Sequence, residues 1–316
     1  MLLKNLRYIQ PFPQQIQKQL LLVQARRCLS LNQSQKQGQA SKQEKGGSNS
    51  NLPLDQSQTL DTIYYDPAKD QTKPQTNLKY PRLYGHNLCL FSERVRLAFA
   101  AKHIKIQKVQ MDMKEKGFWH LQANRGLIPL MEMPDGTFLH ESRVLMELAN
   151  DLGGKKGYQL YSDDPIKAAR QRTLIEQVNN YERELFAYFA SRGQKDSMNK
   201  HFVQIVLELE DLIGQHHYQG QKWLFGSEQP TMADLFIFPF IERIVLFKHT
   251  PWEDAYYKLD IDAHAPLMKQ YVDQFREIEL FKNEVINVTA YGKYLEKYRM
   301  DPYKKPKFEL EYLEQI

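Results

Sequence analysis

Two cysteines occur among the 316 residues, Cys28 and Cys89, and only the second stands in a context suited to chemistry. The run Leu88-Cys89-Leu90-Phe91-Ser92-Glu93-Arg94 follows a short apolar stretch and a turn marked by Gly85 and Asn87. Ser92 and Glu93 suit a helix start, and Val95, Leu97, Ala98 and Phe99 continue as its buried face. A cysteine at this point lies near the positive end of the helix dipole, where backbone N–H groups favour a thiolate, the nucleophilic form. A small buried core cysteine satisfies the same local pattern, so the surrounding elements must decide. Ser92 excludes an internal disulfide within the Cys89–Ser92 stretch. The absence of any CxxC pair argues against a zinc site and a disulfide scaffold, and fits a reducing compartment. His86, three residues before the thiol, either steadies the anion or is a bystander in the turn.

The elements that would position Cys89 begin at Pro81. A strand around Leu83 precedes a helix near 91–102, and 104–111 alternates as a second strand. Residues 114–122 form a short helix or an irregular turn. Residues 127–132 read as a strand, Pro134-Asp135-Gly136 as a hairpin turn and 137–140 as its partner. A helix over 141–152 is stopped by Gly153 and Gly154. The order βαβαββα, a parallel pair followed by an antiparallel hairpin, is the thioredoxin-like arrangement. After 153–165 the pattern turns helical, with apolar periodicity through 167–192, 199–215, 232–248 and about 265–282. Thr231 and Asp234 form a capping box at a helix start, Pro239 is expected to kink that helix, and Phe236, Phe238 and Phe240 read as core.

A thioredoxin-like domain with a cysteine at its first helix, followed by an all-helical domain, resembles the glutathione transferase superfamily. The omega and dehydroascorbate-reductase branch is the most similar. Its motif Cys-Pro-Phe-Ala/Ser-x-Arg reads here Cys89-Leu90-Phe91-Ser92-Glu93-Arg94, and the likeness extends through Gly126-Leu127-Ile128-Pro129, Glu141-Ser142 and Thr231–Asp234. The resemblance implies that Pro129 is a cis-proline and that the backbone of Ile128 pairs with the cysteinyl unit of glutathione. It implies that Glu141 and Ser142 bind the γ-glutamyl carboxylate at a helix N-terminus. It further implies that Phe91 flanks the glutathione and that Lys116 approaches its glycyl carboxylate. An ordinary strand-opening proline, a simple helix cap and a solvated lysine fit the same three positions. The implied reaction is a one-cysteine thiol exchange with glutathione as co-substrate and no metal. Leu90 departs from the motif by replacing the proline after the cysteine, and both termini carry extensions. These departures motivate an alternative: a non-catalytic subunit or interaction module of a mitochondrial protein complex.

Composition bounds the remainder. The 42% hydrophobic and 12% aromatic content is that of a globular chain, and no run reaches the roughly 18 apolar residues of a membrane span. Net charge is +5, but residues 1–79 carry 11 Lys/Arg against 5 Asp/Glu, so the excess lies in the N-terminal segment and gives no support to a nucleic-acid-binding body. Residues 1–43 contain no acidic residue. Residues 1–30 accordingly read as a mitochondrial presequence ending near Arg27-Cys28-Leu29, with a disordered basic tail as the alternative and a cytoplasmic protein as its consequence. Residues 31–79 read as a low-complexity linker, with Tyr64 and Tyr65 as a local docking point. The expected domains are then 80–153, thioredoxin-like, and 165–283, helical, with 284–316 as a C-terminal extension broken by Pro302 and Pro306. A homodimer or membership of a larger mitochondrial complex completes the expectation.

Overall fold

The computed structural model describes residues 60–300 apart from 71, 114, 192–195, 217–221 and 252. They belong to one unit spanning Leu52–Ile316. The presequence, Cys28, the linker up to residue 59 and residues 301–316 with both tail prolines lie outside the described residues. Five strands make one mixed sheet: β1 (Ile63–Tyr65), β2 (Arg82–Gly85), β3 (Gln107–Met111), β4 (Leu130–Glu132) and β5 (Phe138–His140), in spatial order β1-β3-β2-β4-β5. β3 pairs in parallel with both β1 and β2, while β2–β4 and β4–β5 are antiparallel. α1 (Leu90–Ala101), α2 (Phe118–Asn124) and α3 (Ser142–Gly153) complete the expected βαβαββα order. Successive β2 residues point to opposite faces, so Leu83 enters the core shared with α1 and α3 while Tyr84 packs with Trp119 of α2. Gly85 is needed for close approach, because a Cβ there would meet Ser92 Oγ at 2.7 Å. That contact lets α1 start directly above the end of β2.

One boundary needs correction. Residues 63–65, assigned to the linker, form the edge strand β1, and the segment behind it is fastened to the sheet. Tyr65 donates its hydroxyl hydrogen to Asp70 O and accepts from Trp119 Nε1 at 2.9 Å, while Lys73 and Thr76 both donate to the buried carboxylate of Glu132. A three-residue strand in a polar, Gln-rich context has too little apolar periodicity to be read locally; long-range pairing with β3 makes it. The lock is tight at Gly117, where a Cβ would stand 2.2 Å from Tyr65 Oη. Gly117→Ala is therefore expected to lower stability by about 1–3 kcal/mol through overpacking between β1 and α2, measured by urea denaturation.

The helical part comprises α4 (Pro165–Ser191), α5 (Asp196–His216), α6 (Met232–Val245), two short helices α7 (Glu253–Lys258) and α8 (Ile261–His264), α9 (Pro266–Arg276) and α10 (Val288–Met300). The capping box at Thr231 and Asp234 is present, and α6 continues through Pro239 as one helix. Phe236, Phe238 and Phe240 are all buried, as expected of core. The expected helix over 265–282 ends at Arg276, and the two short helices and α10 were not anticipated. The assigned C-terminal extension starts instead as part of the fold. Glu284 bridges Lys108 of β3 and Arg96 of α1, and α10 buries Ala290, Tyr291 and Leu295.

Candidate functional site

Cys89 is the N-cap residue of α1 and half-buried, with extended backbone angles. Its own N–H is bonded to His86 O at 3.0 Å, and its carbonyl accepts from Glu93 N at 2.9 Å. Cys89 therefore stands at the helix end whose first-turn N–H groups an α-helix leaves without partners of its own, although its side chain makes no capping hydrogen bond to them. It opens into a cleft of about 310 Å³ lined by Leu88, Leu90, Phe91 and Lys116 near the cysteine, by Gly126–Ile128 on one wall, and by Arg243, Tyr291, Tyr294 and Leu295 on the other. The wall at Ile128 is set by a cis peptide bond to Pro129. The antiparallel ladder between β4 and β5 ends at Leu130↔His140, so Pro129 and Glu141 directly flank the last pair at the same end of the two strands. Glu141 adopts φ 71°, a left-handed conformation that non-glycine residues seldom take and that tends to occur at functional sites. It turns the chain from β5, which ends at His140, into α3, which begins at Ser142.

Two adjacent stretches match known family domains: 83–155 the glutathione S-transferase N-terminal domain and 170–273 the glutathione S-transferase C-terminal domain, together more than half of the chain. The chain belongs to the glutathione transferase superfamily. Among its relatives, glutathione S-transferase omega-1 of Mus musculus is 25% identical over 70% of this chain and 86% of its own. Pyrimidodiazepine synthase of Drosophila melanogaster is 28% identical over 56% of this chain and 68% of its own. The structure of glutathione transferase Omega 3C from Trametes versicolor shares the fold, with a TM-score of 0.54 at 20% identity, covering 70% of this chain and 93% of that one.

The glutathione transferase fold thus gathers Cys89, Phe91, Lys116 and Ile128 on one cleft. Pro129, Glu141 and Ser142 do not line it; Pro129 is buried, Ser142 half-buried and Glu141 exposed. Lys116 is not a freely solvated lysine. Its ammonium donates to Asp112 O, and burial pushes its pKa down to about 8 against the opposing pull of Asp112 and Cys89. His86 is confirmed as part of the turn. Its Nδ1 accepts from Leu88 N at 3.0 Å, and burial, with Arg96 and Lys116 nearby, pushes its pKa down to about 3, so it stays neutral. Leu90 is 4% exposed and packs into the core, while it also forms part of the cleft lining beside Cys89.

A buried ionic layer lies beneath the cleft. Arg94 ion-pairs with Glu182, donates to Phe236 O and lies 3.5 Å from the Phe236 ring centroid. Glu93 pairs with Arg243 at 2.7 Å, while Glu242 pairs with Arg276 and faces Glu93. Burial first, and the Glu93 charge second, raise the Glu242 pKa well above the usual carboxylate range. Arg243, Tyr291, Tyr294, Leu295 and Met113 were not anticipated as lining residues. Only the Tyr-rich composition of 285–316 hinted at the α10 contribution. Among the described residues, no group of three or more His, Cys, Asp or Glu is placed to hold a metal, and no helix is long and apolar enough to cross a membrane.

Proposed function

We propose that the protein is a glutathione-dependent thioltransferase of omega type that works through Cys89 alone. The observation that carries this reading is a half-buried Cys89 at a helix N-terminus, facing the Ile128–Pro129 edge with no second cysteine among the described residues. In the proposed cycle the Cys89 thiolate attacks the glutathione sulfur of a mixed disulfide. The partner leaves as a thiolate and takes a proton from solvent. A second glutathione, as thiolate, attacks the enzyme-bound glutathione sulfur, releasing glutathione disulfide and restoring Cys89. The Ile128 backbone holds the cysteinyl unit, Glu141 and Ser142 the γ-glutamyl end, Lys116 the glycyl carboxylate, and Phe91 packs beside them. The apolar wall of Tyr294, Leu295, Leu88 and Met113 takes the partner group.

The acid-free N-terminal segment supports a mitochondrial location for this enzyme, and a homodimer is its proposed assembly. Calorimetry of the full chain with glutathione, followed by turnover with a glutathione mixed disulfide, tests the function. No binding refutes it; binding without turnover leaves the non-catalytic module instead. Fractionation of cells expressing the chain with and without residues 1–30 tests the location, and light scattering tests the assembly.

Lys116 gives a pH-dependent check. Its folded pKa, about 8, lies below the ordinary lysine value of 10.5, so its positive charge is lost as pH rises through about 8. Affinity for S-methylglutathione, which has no thiol, is expected to fall across that window. Lys116→Met should weaken binding about tenfold below it and remove that part of the slope.

A further inference from the structure

The cysteine belongs to the thioredoxin-like half of the fold, yet the residue that grips its surroundings comes from the helical half. Arg243, at the C-terminal end of α6, is 2% exposed. Its Nη2 donates to Leu88 O at 3.1 Å and pairs with Glu93 Oε2 at 2.7 Å. Leu88 O belongs to the peptide bond that enters Cys89, and Glu93 is the residue whose N–H closes the first helical turn onto Cys89 O. One guanidinium nitrogen therefore holds the chain on both sides of the thiol. Its other nitrogen, Nη1, is fixed to Pro239 O at 2.6 Å, within its own helix, so the fork cannot swing. The opposite end of Leu88 is fastened too, by His86 Nδ1. Glu93 is fully buried, so this pair is a costly arrangement to maintain for packing alone, since apolar residues of similar volume often serve as well.

We infer that Arg243 is a positioning residue that orients Cys89 from the helical half, its forked guanidinium bracketing the thiol through Leu88 O and Glu93. Arg243 also lines the cleft itself. A lysine would keep the charge but offers no planar fork, so it cannot hold Pro239 O, Leu88 O and Glu93 together. The inference rests on Cys89 being the reactive thiol, and its test reads that thiol directly rather than through turnover.

The experiment uses the full chain with Cys28→Ser, so that Cys89 is the single thiol, and iodoacetamide as the probe. In that reaction a new carbon–sulfur bond forms at Cys89, iodide leaves and the thiol proton passes to solvent. Two variants are compared at one near-neutral pH: Arg243→Lys, and the paired Glu93→Gln/Arg243→Met, which leaves no lone buried charge. Alkylation is expected to slow on the order of tenfold in both, from misorientation of the sulfur. Melting curves should stay cooperative and S-methylglutathione affinity should stay within about twofold, below the effect of one lost hydrogen bond. Wild-type alkylation in the paired variant, or full rescue by lysine, would overturn the inference. An equal loss of S-methylglutathione affinity would also overturn it, by making Arg243 a general prop of the cleft. If the paired variant does not fold, Arg243→Lys decides alone. A wild-type chain that alkylates normally but shows no turnover refutes the thioltransferase reading and leaves this result interpretable.

Discussion

Cys89→Ser is expected to reduce thioltransferase turnover on the order of a thousandfold or more while leaving glutathione bound. The size follows from the chemistry: an alkoxyl oxygen cannot form the enzyme–glutathione disulfide through which the one-cysteine cycle passes, and a neutral hydroxyl is a poor nucleophile at neutral pH. Binding should survive because serine is nearly isosteric, and Phe91, Ile128 and Lys116 still line the cleft. Cys28→Ser serves as the control and should retain full turnover. Measured together, S-methylglutathione affinity and the rate of mixed-disulfide exchange separate a lost nucleophile from a lost site. Full exchange by Cys89→Ser would defeat the proposed mechanism.

Asp234→Ala is expected to be the most damaging single change to stability, at about 4 kcal/mol in urea denaturation. The carboxylate is fully buried and accepts four hydrogen bonds: Leu224 N–H at 3.0 Å, Thr231 N–H at 2.7 Å, Thr231 Oγ1–H at 2.7 Å and Tyr271 O–H at 2.7 Å. Alanine would orphan these donors in the core, each at the desolvation cost of an unpaired polar group. It would also remove the cap from α6, the helix that carries Arg243 and the aromatic core. For a domain whose total stability is typically about 5–15 kcal/mol, that loss endangers folding itself. Asp234→Asn keeps one acceptor oxygen but turns an N–H toward donors, so roughly half the loss is expected.

Much of this was legible in order of residue types. Alternating and helical periods marked most elements of the thioredoxin-like part, because each has one buried face and one wet face. The capping box at Thr231 and Asp234 was readable because both partners lie within one turn. Its further bonds to Leu224 and Tyr271 were not, since those reach 10 and 37 residues away. Strand β1 escaped because three residues carry no usable period. α7, α8 and α10 escaped because short helices and Tyr/Lys-rich ones have weak apolar contrast, and tertiary burial decides them.

Cys89 was identifiable as a candidate from its own neighbours, and Ser92 alone determined that no internal disulfide can form there. What only the tertiary structure decided is the company that cysteine keeps. Leu90, the apparent departure beside the sulfur, packs into the core and at the same time lines the cleft. Lys116 becomes a desolvated group instead of a wet one. Arg243, more than 150 positions downstream, reaches the peptide bond that enters the cysteine. Local sequence specifies what a residue can be, through propensity, capping and chain geometry. Burial and long-range pairing, which set charge and orientation at the thiol, arise only when distant segments share one core.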